Sequence, residues 1–331
     1  MKNKKDISLK AFCGALKAHD HFLLASHVNP EGDAIGSLIA IESLLRRIGK
    51  KTMIVCEDPF PERLYCLPHK DRWNEYEKVK GKKNRWDALV VTDCPTLERI
   101  GKIKEFVGSQ TAIFNIDHHI SNTHFGQYNY VKPQAAASGE VVYEIFKHFK
   151  LPLTQEEATS LYVSISTDTG SFKYSNTSVH THRIAAELIK TGIDIDRINE
   201  ELYATYSLNK IQLYSRLLGK VQTRYGGQVV WVAMNRSDLA ASGGTYEDTE
   251  GFIDFLKCLK EVKVAFFLSE MQNPNEVKVS FRSRGSYDVN QVAVAFGGGG
   301  HKKASGCSLS VGLSEAVEAI LKEIQKHFHF K

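Results

Sequence analysis

Phe22-Leu-Leu-Ala-Ser-His-Val-Asn-Pro-Glu-Gly-Asp33 is the stretch from which the fold follows. Its first five residues form a short, nearly unbroken apolar run, the pattern of a strand buried on both faces. Asn-Pro-Glu-Gly then interrupts the run, since proline and glycine punctuate regular structure. From Asp33 to Arg47 the apolar residues Ile35, Leu38, Ile39, Ile41, Leu44 and Leu45 recur at helical spacing, and Gly49 follows as a stop signal. Strand, polar loop and helix make the first half of a βαβ unit. Further apolar runs at 52–56, 88–91 and 112–116, with helical patterns at 138–149, 155–166 and 179–190, extend the alternation. The expected fold class is α/β, with a mainly parallel sheet flanked by helices.

Beyond residue 190 the pattern changes. A helical stretch over 195–217, broken near Ser207, leads to strand-like runs at 229–233, 262–268 and 277–281. Helical patterns follow at 248–259 and 289–295, and a last helix at 313–327 is expected to start at Ser314 with Glu315 and Glu318 in its first turns. A chain of 331 residues fits two domains. The expected division is 1–190, a helical connector over 191–220, and a smaller α/β domain over 221–331.

Composition narrows the functional classes. With 42% hydrophobic and 24% charged residues the chain is globular rather than disordered or fibrous. No apolar run approaches a membrane span, and the basic start lacks a signal-like apolar core, so a cytoplasmic protein is expected. Six scattered cysteines without a CxxC pair argue against a disulfide framework or a cysteine zinc site. The net charge of +5 permits an anionic ligand without demanding one. The basic run Lys78, Lys80, Lys82, Lys83 and Arg85 reads as a solvated face, and Tyr203, Tyr206 and Tyr214 as packing residues.

The chemistry lies where strands end. The first strand runs into His27, Glu31 and Asp33, the strand at 88–91 into Asp93, and the strand at 112–116 into Asp117, His118 and His119. Asp168 comes where a helical pattern stops. In an open parallel sheet the carboxyl ends of the strands line the ligand crevice. Each fragment has a plain alternative: Asp33 could cap its helix, and Asp93 or Asp168 could form turns. Together they deliver carboxylates and imidazoles to one sheet edge, a set that suits Mn²⁺, with Mg²⁺ or Co²⁺ as substitutes. Several converging carboxylates need cations to offset their repulsion. Two divalent ions sharing a carboxylate would serve in-line attack on phosphorus.

Asp117-His118-His119 resembles the signature of the DHH phosphoesterase superfamily. The stretch from His27 to Ser37, Thr92-Asp93 and Thr167-Asp168-Thr169-Gly170 match its other motifs in order. Near the C-terminus, Gly297-Gly-Gly-Gly-His-Lys-Lys-Ala-Ser-Gly306 resembles the phosphate-binding motif of the associated DHHA1 domain. The resemblance spans nearly the whole chain and is strongest to the compact, NrnA-like branch of bifunctional oligoribonucleases and pAp phosphatases. It implies a DHH catalytic domain joined to a DHHA1 substrate domain. It implies metal ligands at His27, Glu31, Asp33, Asp93, His118 and Asp168, with Asp93 bridging two Mn²⁺ ions. His27 and Glu31 would serve one ion, and His118 and Asp168 the other beside Asp33. Asp93, Asp117 and His119 are then the expected catalytic residues, with His119 just outside the ligand set. The family usually has Asp where this chain has Glu31.

Four glycines before His301-Lys-Lys would let backbone N–H groups approach an anion. Gly298, Gly299, Gly300 and His301, with Arg282 and Ser283 at the end of the strand 277–281, are the expected substrate-binding residues. The resemblance implies hydrolysis of short oligoribonucleotides, about two to five nucleotides long, to mononucleotides through metal-activated water. It also implies conversion of pAp to AMP, and a homodimer. The alternatives are a phosphodiesterase of linear pApA or cyclic dinucleotides, and an inactive nucleotide- or RNA-binding module. With Glu31, Asp33, Asp93, Asp117 and Asp168 set aside, 43 basic residues face 33 acidic ones, so the mild net charge conceals a basic remainder.

Overall fold

The computed structural model describes residues 6–81, 86–204, 206–273 and 275–330. The chain forms two compact units, Met1–Thr205 and Tyr206–Lys331. The helical stretch expected as a connector is divided between them. Of the basic run, Lys82, Lys83 and Arg85 lie outside the described residues, while Lys78 pairs with Glu75 at 2.6 Å and Lys80 pairs with Glu77.

The first unit runs α1 (Leu9–Lys17), β1 (His21–Ala25), α2 (Gly32–Arg47), β2 (Lys51–Cys56), β3 (Trp73–Glu75), α3 (Tyr76–Val79), β4 (Ala88–Thr92), β5 (Ala112–Asp117) and β6 (Tyr128–Val131). Then come α4 (Ser138–Phe149), α5 (Gln155–Asp168), α6 (Val179–Ile189) and α7 (Ile195–Tyr203). Its six strands pair in parallel in the order β3-β2-β1-β4-β5-β6. The apolar runs serve two cores because successive strand side chains point to opposite faces. Phe22, Leu24, Ala88, Val90, Phe114 and Ile116 pack with α1, α2, α4 and α5. Leu23, Ala25, Leu89 and Val91 pack on the other face against Tyr76, Val79, Ile100 and Ile103.

Strand order reverses direction between β1 and β4, so the crevice of this sheet opens beyond their carboxyl ends. Three helices come unusually close there. A Cβ on Gly36 of α2 would lie 2.3 Å from the Ser160 carbonyl oxygen of α5, and one on Gly139 of α4 would lie 2.1 Å from Ser164 Oγ. Glycine at both positions lets α2 and α4 seat directly against α5.

The second unit runs α8 (Leu208–Leu218), β7 (Gln222–Arg224), β8 (Val229–Met234), α9 (Arg236–Ser242), α10 (Phe252–Leu256), β9 (Val264–Glu270) and β10 (Val277–Ser283). It ends with α11 (Val289–Ala295), β11 (Gly299–His301), β12 (Ala304–Leu309) and α12 (Leu313–His327). The sheet order is β11-β12-β10-β9-β8-β7. It is antiparallel except for the parallel pair β8–β9. Val277, Val279, Phe281, Cys307 and Leu309 pack beneath α11 and α12. On the opposite face α8 and α10 cover β8 and β9. The expected helix start at Ser314 is corrected: Gly312 is the N-cap, with no side-chain capping bond, and Ser314 lies inside the first turn.

Candidate functional site: a carboxylate–histidine centre at the strand ends

The centre is assembled by the ends of β1, β4, β5 and α5. Asp93 leaves β4 with φ of 54°, a left-handed conformation that aspartate tolerates better than most residues. One oxygen, Oδ2, lies 3.6 Å from His27 Nε2, and the other, Oδ1, lies 3.6 Å from His118 Nε2 and 3.6 Å from His119 Nδ1. His118 Nε2 is also 3.6 Å from Asp33 Oδ2 and 3.6 Å from Asp168 Oδ2. Backbone acceptors aim both rings. His27 Nδ1 contacts its neighbour's carbonyl, Val28 O, at 2.8 Å, and His118 Nδ1 contacts Ala135 O at 3.2 Å. Each imidazole therefore turns Nε2 toward the carboxylates.

Asp33, only 2% exposed, accepts backbone N–H bonds from Ser138 (2.7 Å) and Gly139 (3.1 Å) and a hydrogen bond from Ser164 Oγ. Ser138 Oγ donates to Asp93 Oδ1 at 3.1 Å. The N-terminus of α4 thus points at the acidic centre, where its free amides and dipole favour negative charge. Ser138, Gly139 and Ser164 were not anticipated from sequence. Small residues before and within a helix starting at 138 were the available signal.

Asp117 is oriented differently. Its Oδ1 accepts from His118 N (2.8 Å) and faces His119 Nδ1 at 2.7 Å, while Asn122 Nδ2 donates to Oδ2. It shapes the His118–His119 turn instead of facing the other carboxylates. Glu31, the N-cap of α2, is exposed and makes no side-chain cap bond. Among the described residues two sets offer donor atoms within 4.8 Å of one another: Asp93, His118 and His119, and Asp33, His118 and Asp168. His27 and Glu31 stand outside both sets.

The electrostatics fit a cation. Burial, reinforced by the Asp93 charge, holds the Asp33 carboxyl well above its usual range. Burial likewise moves Asp168 up to about 6, opposed by His118 and aided by Asp93. Burial would raise Asp93 too, but the closeness of His118 and His27 outweighs it and keeps that carboxylate ionised far below the usual range. For His118 burial favours the neutral ring, yet Asp93, Asp33 and Asp168 overcome it and push the imidazole up to about 10. Without a metal, one imidazolium is left to offset three carboxylates. Oxygen and imidazole donors with no thiolate suit a hard or borderline divalent ion. Cys94 is no competitor: it donates to Thr96 O at 3.1 Å, and burial pushes its thiol up to about 12.

In the second unit the predicted residues divide between faces. Cross-strand partners share a face, and the register pairs Arg282 with Ala304 and Ala304 with His301. Arg282 and His301 are thereby brought onto one face of the sheet. The next row, Ser280, Gly306 and Gly299, leaves a shallow floor. Ser283 points the other way: it is buried, and its hydroxyl donates to Tyr287 O at 2.6 Å. The glycine run is not an open nest. Gly297 N donates to Val294 O and Gly298 N to Ala293 O, the paired bonds that close a helix with a left-handed residue, here Gly297 at φ 73°. Gly298 is further constrained, since a Cβ there would sit 2.1 Å from Gly306 O. Gly299, Gly300 and His301 remain on an exposed edge strand. Tyr214 is buried against Phe252, as packing predicts.

Buried carboxylates and imidazoles gathered at the switch point of a parallel sheet, with a basic sheet face in a second unit, define an α/β phosphoesterase with groups able to hold metal ions. Residues 21–165 match the DHH family N-terminal domain, and residues 217–329 match the DHHA1 domain. The chain is 31% identical over 304 residues to the bifunctional oligoribonuclease and PAP phosphatase NrnA of Thermus thermophilus, covering 92% of this chain and 89% of that protein. It is 28% identical over 301 residues to the Bacillus subtilis protein of the same description, covering 89% and 91%. The crystal structure of an exopolyphosphatase-related protein from Bacteroides fragilis superposes with a TM-score of 0.88 at 26% identity, covering 96% of this chain and 95% of that one. The chain belongs to the DHH family of phosphoesterases, in its two-domain DHH–DHHA1 form. Among the described residues no helix is long and apolar enough to cross a membrane.

Proposed function

We propose that the protein hydrolyses short oligoribonucleotides, about two to five residues long, to mononucleotides and removes the 3′-phosphate of pAp, using two Mn²⁺ ions. It acts in the cytoplasm. The observation that carries this reading is the convergence of Asp33, Asp93, Asp168 and His118 at the ends of separate elements. The same chemistry is named for the curated relatives.

His118, Asp33 and Asp168 would hold one ion; Asp93, placed between His118 and His27, would be shared with a second, served also by His27 and Glu31. Bound there, paired divalent ions lower the pKa of water and neutralise phosphoryl charge. The protein's own groups do the rest. The α4 amides and Ser164 fix the Asp33 carboxylate, and Ser138 fixes Asp93, so little reorganisation accompanies charge development. The hydrogen bond to Asp117, the main influence, raises the pKa of His119. His119 Nδ1 is held by that bond, leaving Nε2 to present a proton to a phosphoryl or leaving-group oxygen. Asp117 is a positioning residue in this scheme, and Arg282 and His301 bind a substrate phosphate.

The test is product release from pAp, pApA, cyclic di-AMP, an RNA pentamer, a long RNA and pyrophosphate, each with Mn²⁺. Turnover of the pentamer and pAp, with the long RNA spared, is expected. Equal turnover of pentamer and long RNA would overturn the short-substrate reading, and no turnover at all would leave a binding module.

A further inference from the structure

The open face of the second sheet does not end at Arg282. Lys278, Ser280 and Arg282 alternate along β10 and share one side, because strand side chains repeat every two residues. Opposite them on β9 the partners are Ser269, Phe267 and Ala265. The segment around Tyr246–Ile253 rises beside this row and encloses a cavity of about 290 Å³. Phe267, Met271 and Tyr246 supply apolar and aromatic surface, while Ser269, Ser280, Lys278 and Arg282 supply donors. Tyr246 is fixed by its hydroxyl, which donates to Glu270 O at 2.8 Å.

The two cations differ in how they are held. Asp254 takes Arg282 Nε at 3.2 Å and Phe281 O takes Nη1 at 3.1 Å, so the guanidinium is oriented with its remaining donors unspent. Lys278 has no acidic partner among the described residues and lies exposed at the far end of the row. Four strand residues separate them, about 13 Å along the backbone, a gap that two long side chains converging on one cavity can close. Two cations outweigh the one acid in the lining, Glu250. A purely apolar ligand would waste the cations, and a bare phosphate would leave the aromatic surface empty. Mononucleotide-sized ligands combine both needs: a planar base for Phe267, Met271 and Tyr246, hydroxyls for the serines, and a phosphate for the cations.

We propose that this cavity is a nucleoside monophosphate subsite, in which Lys278 and Arg282 bind the phosphate and the Tyr246–Phe267–Met271 surface receives the base. This deepens the function proposed above and rests on it for the expectation of a nucleotide ligand. The site stands in the second unit, among residues separate from the carboxylate centre, so its occupancy needs no metal.

The test is calorimetric titration of the full chain, kept in chelator, with AMP, adenosine and inorganic phosphate. AMP should bind more tightly than either fragment. Lys278→Glu, a change at an exposed side chain, should weaken AMP roughly tenfold or more, the scale of one charged hydrogen bond. Ser280→Tyr, which keeps both cations but fills the floor, should abolish AMP binding while inorganic phosphate still binds. AMP binding unchanged in both variants, or no better than phosphate in the wild type, would overturn the proposal. Hydrolysis of the pentamer with no AMP binding would sink the subsite alone. AMP binding that both variants disrupt, with no hydrolysis of any substrate, would sink the catalytic reading alone.

Discussion

Asp93 offers both its oxygens to the centre, one toward His27 and the other toward His118 and His119. Asp93→Asn removes the charge those three imidazoles face while keeping the shape. It should lower kcat by roughly a thousandfold or more, with the far-UV circular dichroism spectrum unchanged; retained activity would remove the two-ion scheme. Asp117 acts through its neighbour. Its hydrogen bond raises the pKa of His119, so the ring keeps its proton to higher pH than an ordinary histidine. Asp117→Asn withdraws that support, and the His119 pKa must fall. The basic limb of the kcat–pH profile should move to lower pH, and the His119 resonance in an NMR titration should move with it. An unmoved limb would free His119 from its assigned role. Asp33, Asp93 and the histidine pair were all legible in sequence because a strand that stops at an Asp or His declares it. The serines that hold them were not: Ser138 and Ser164 carry no signal of their own until α4 and α5 are packed together.

At the scale of elements, the approach of α2, α4 and α5 sets the position of Asp33. Gly36→Val would drive two methyl groups into the Ser160 carbonyl region, where even a Cβ comes within 2.3 Å. Overpacking of this kind costs about 1–3 kcal/mol, so chemical denaturation should show a lowered midpoint. A neutral result would mean that the helices separate easily. The strand ends also link metal binding to protons. His118, with its pKa at about 10, carries a proton at pH 7 that a cation must displace. Metal affinity should therefore rise with pH between 7 and 8, by roughly tenfold per unit for each proton released. Below pH 6, where Asp168 also protonates, the dependence should steepen. Titrations in buffers of different ionisation enthalpy measure the proton count, and a flat profile would contradict the displaced imidazolium. The glycine-rich run shows where local reading stops. Its composition pointed to a loop of free amides, but closing α11 uses two of them and pairing with β12 makes an edge strand of the rest.

For the whole molecule, removal of metal should abolish hydrolysis without unfolding either unit, because both have their own apolar cores. Chelator should leave the circular dichroism spectrum intact, and Mn²⁺ should restore turnover more fully than Mg²⁺, given the imidazole donors. Loss of the folded signal on chelation would make the centre structural instead. The sequence by itself determined the parallel α/β class, the two-part organisation and the residue types of the centre. Apolar period, strand-terminal Asp and His, and glycine placement are local properties, written directly in the chain. Only the tertiary structure decided which of those residues meet. It placed Arg282 and His301 on one sheet face and turned Ser283 to the other. It turned Asp117 toward its own loop and left Glu31 outside the two donor sets. The reason is that side-chain convergence depends on strand register and helix approach, both fixed by contacts between residues far apart in sequence.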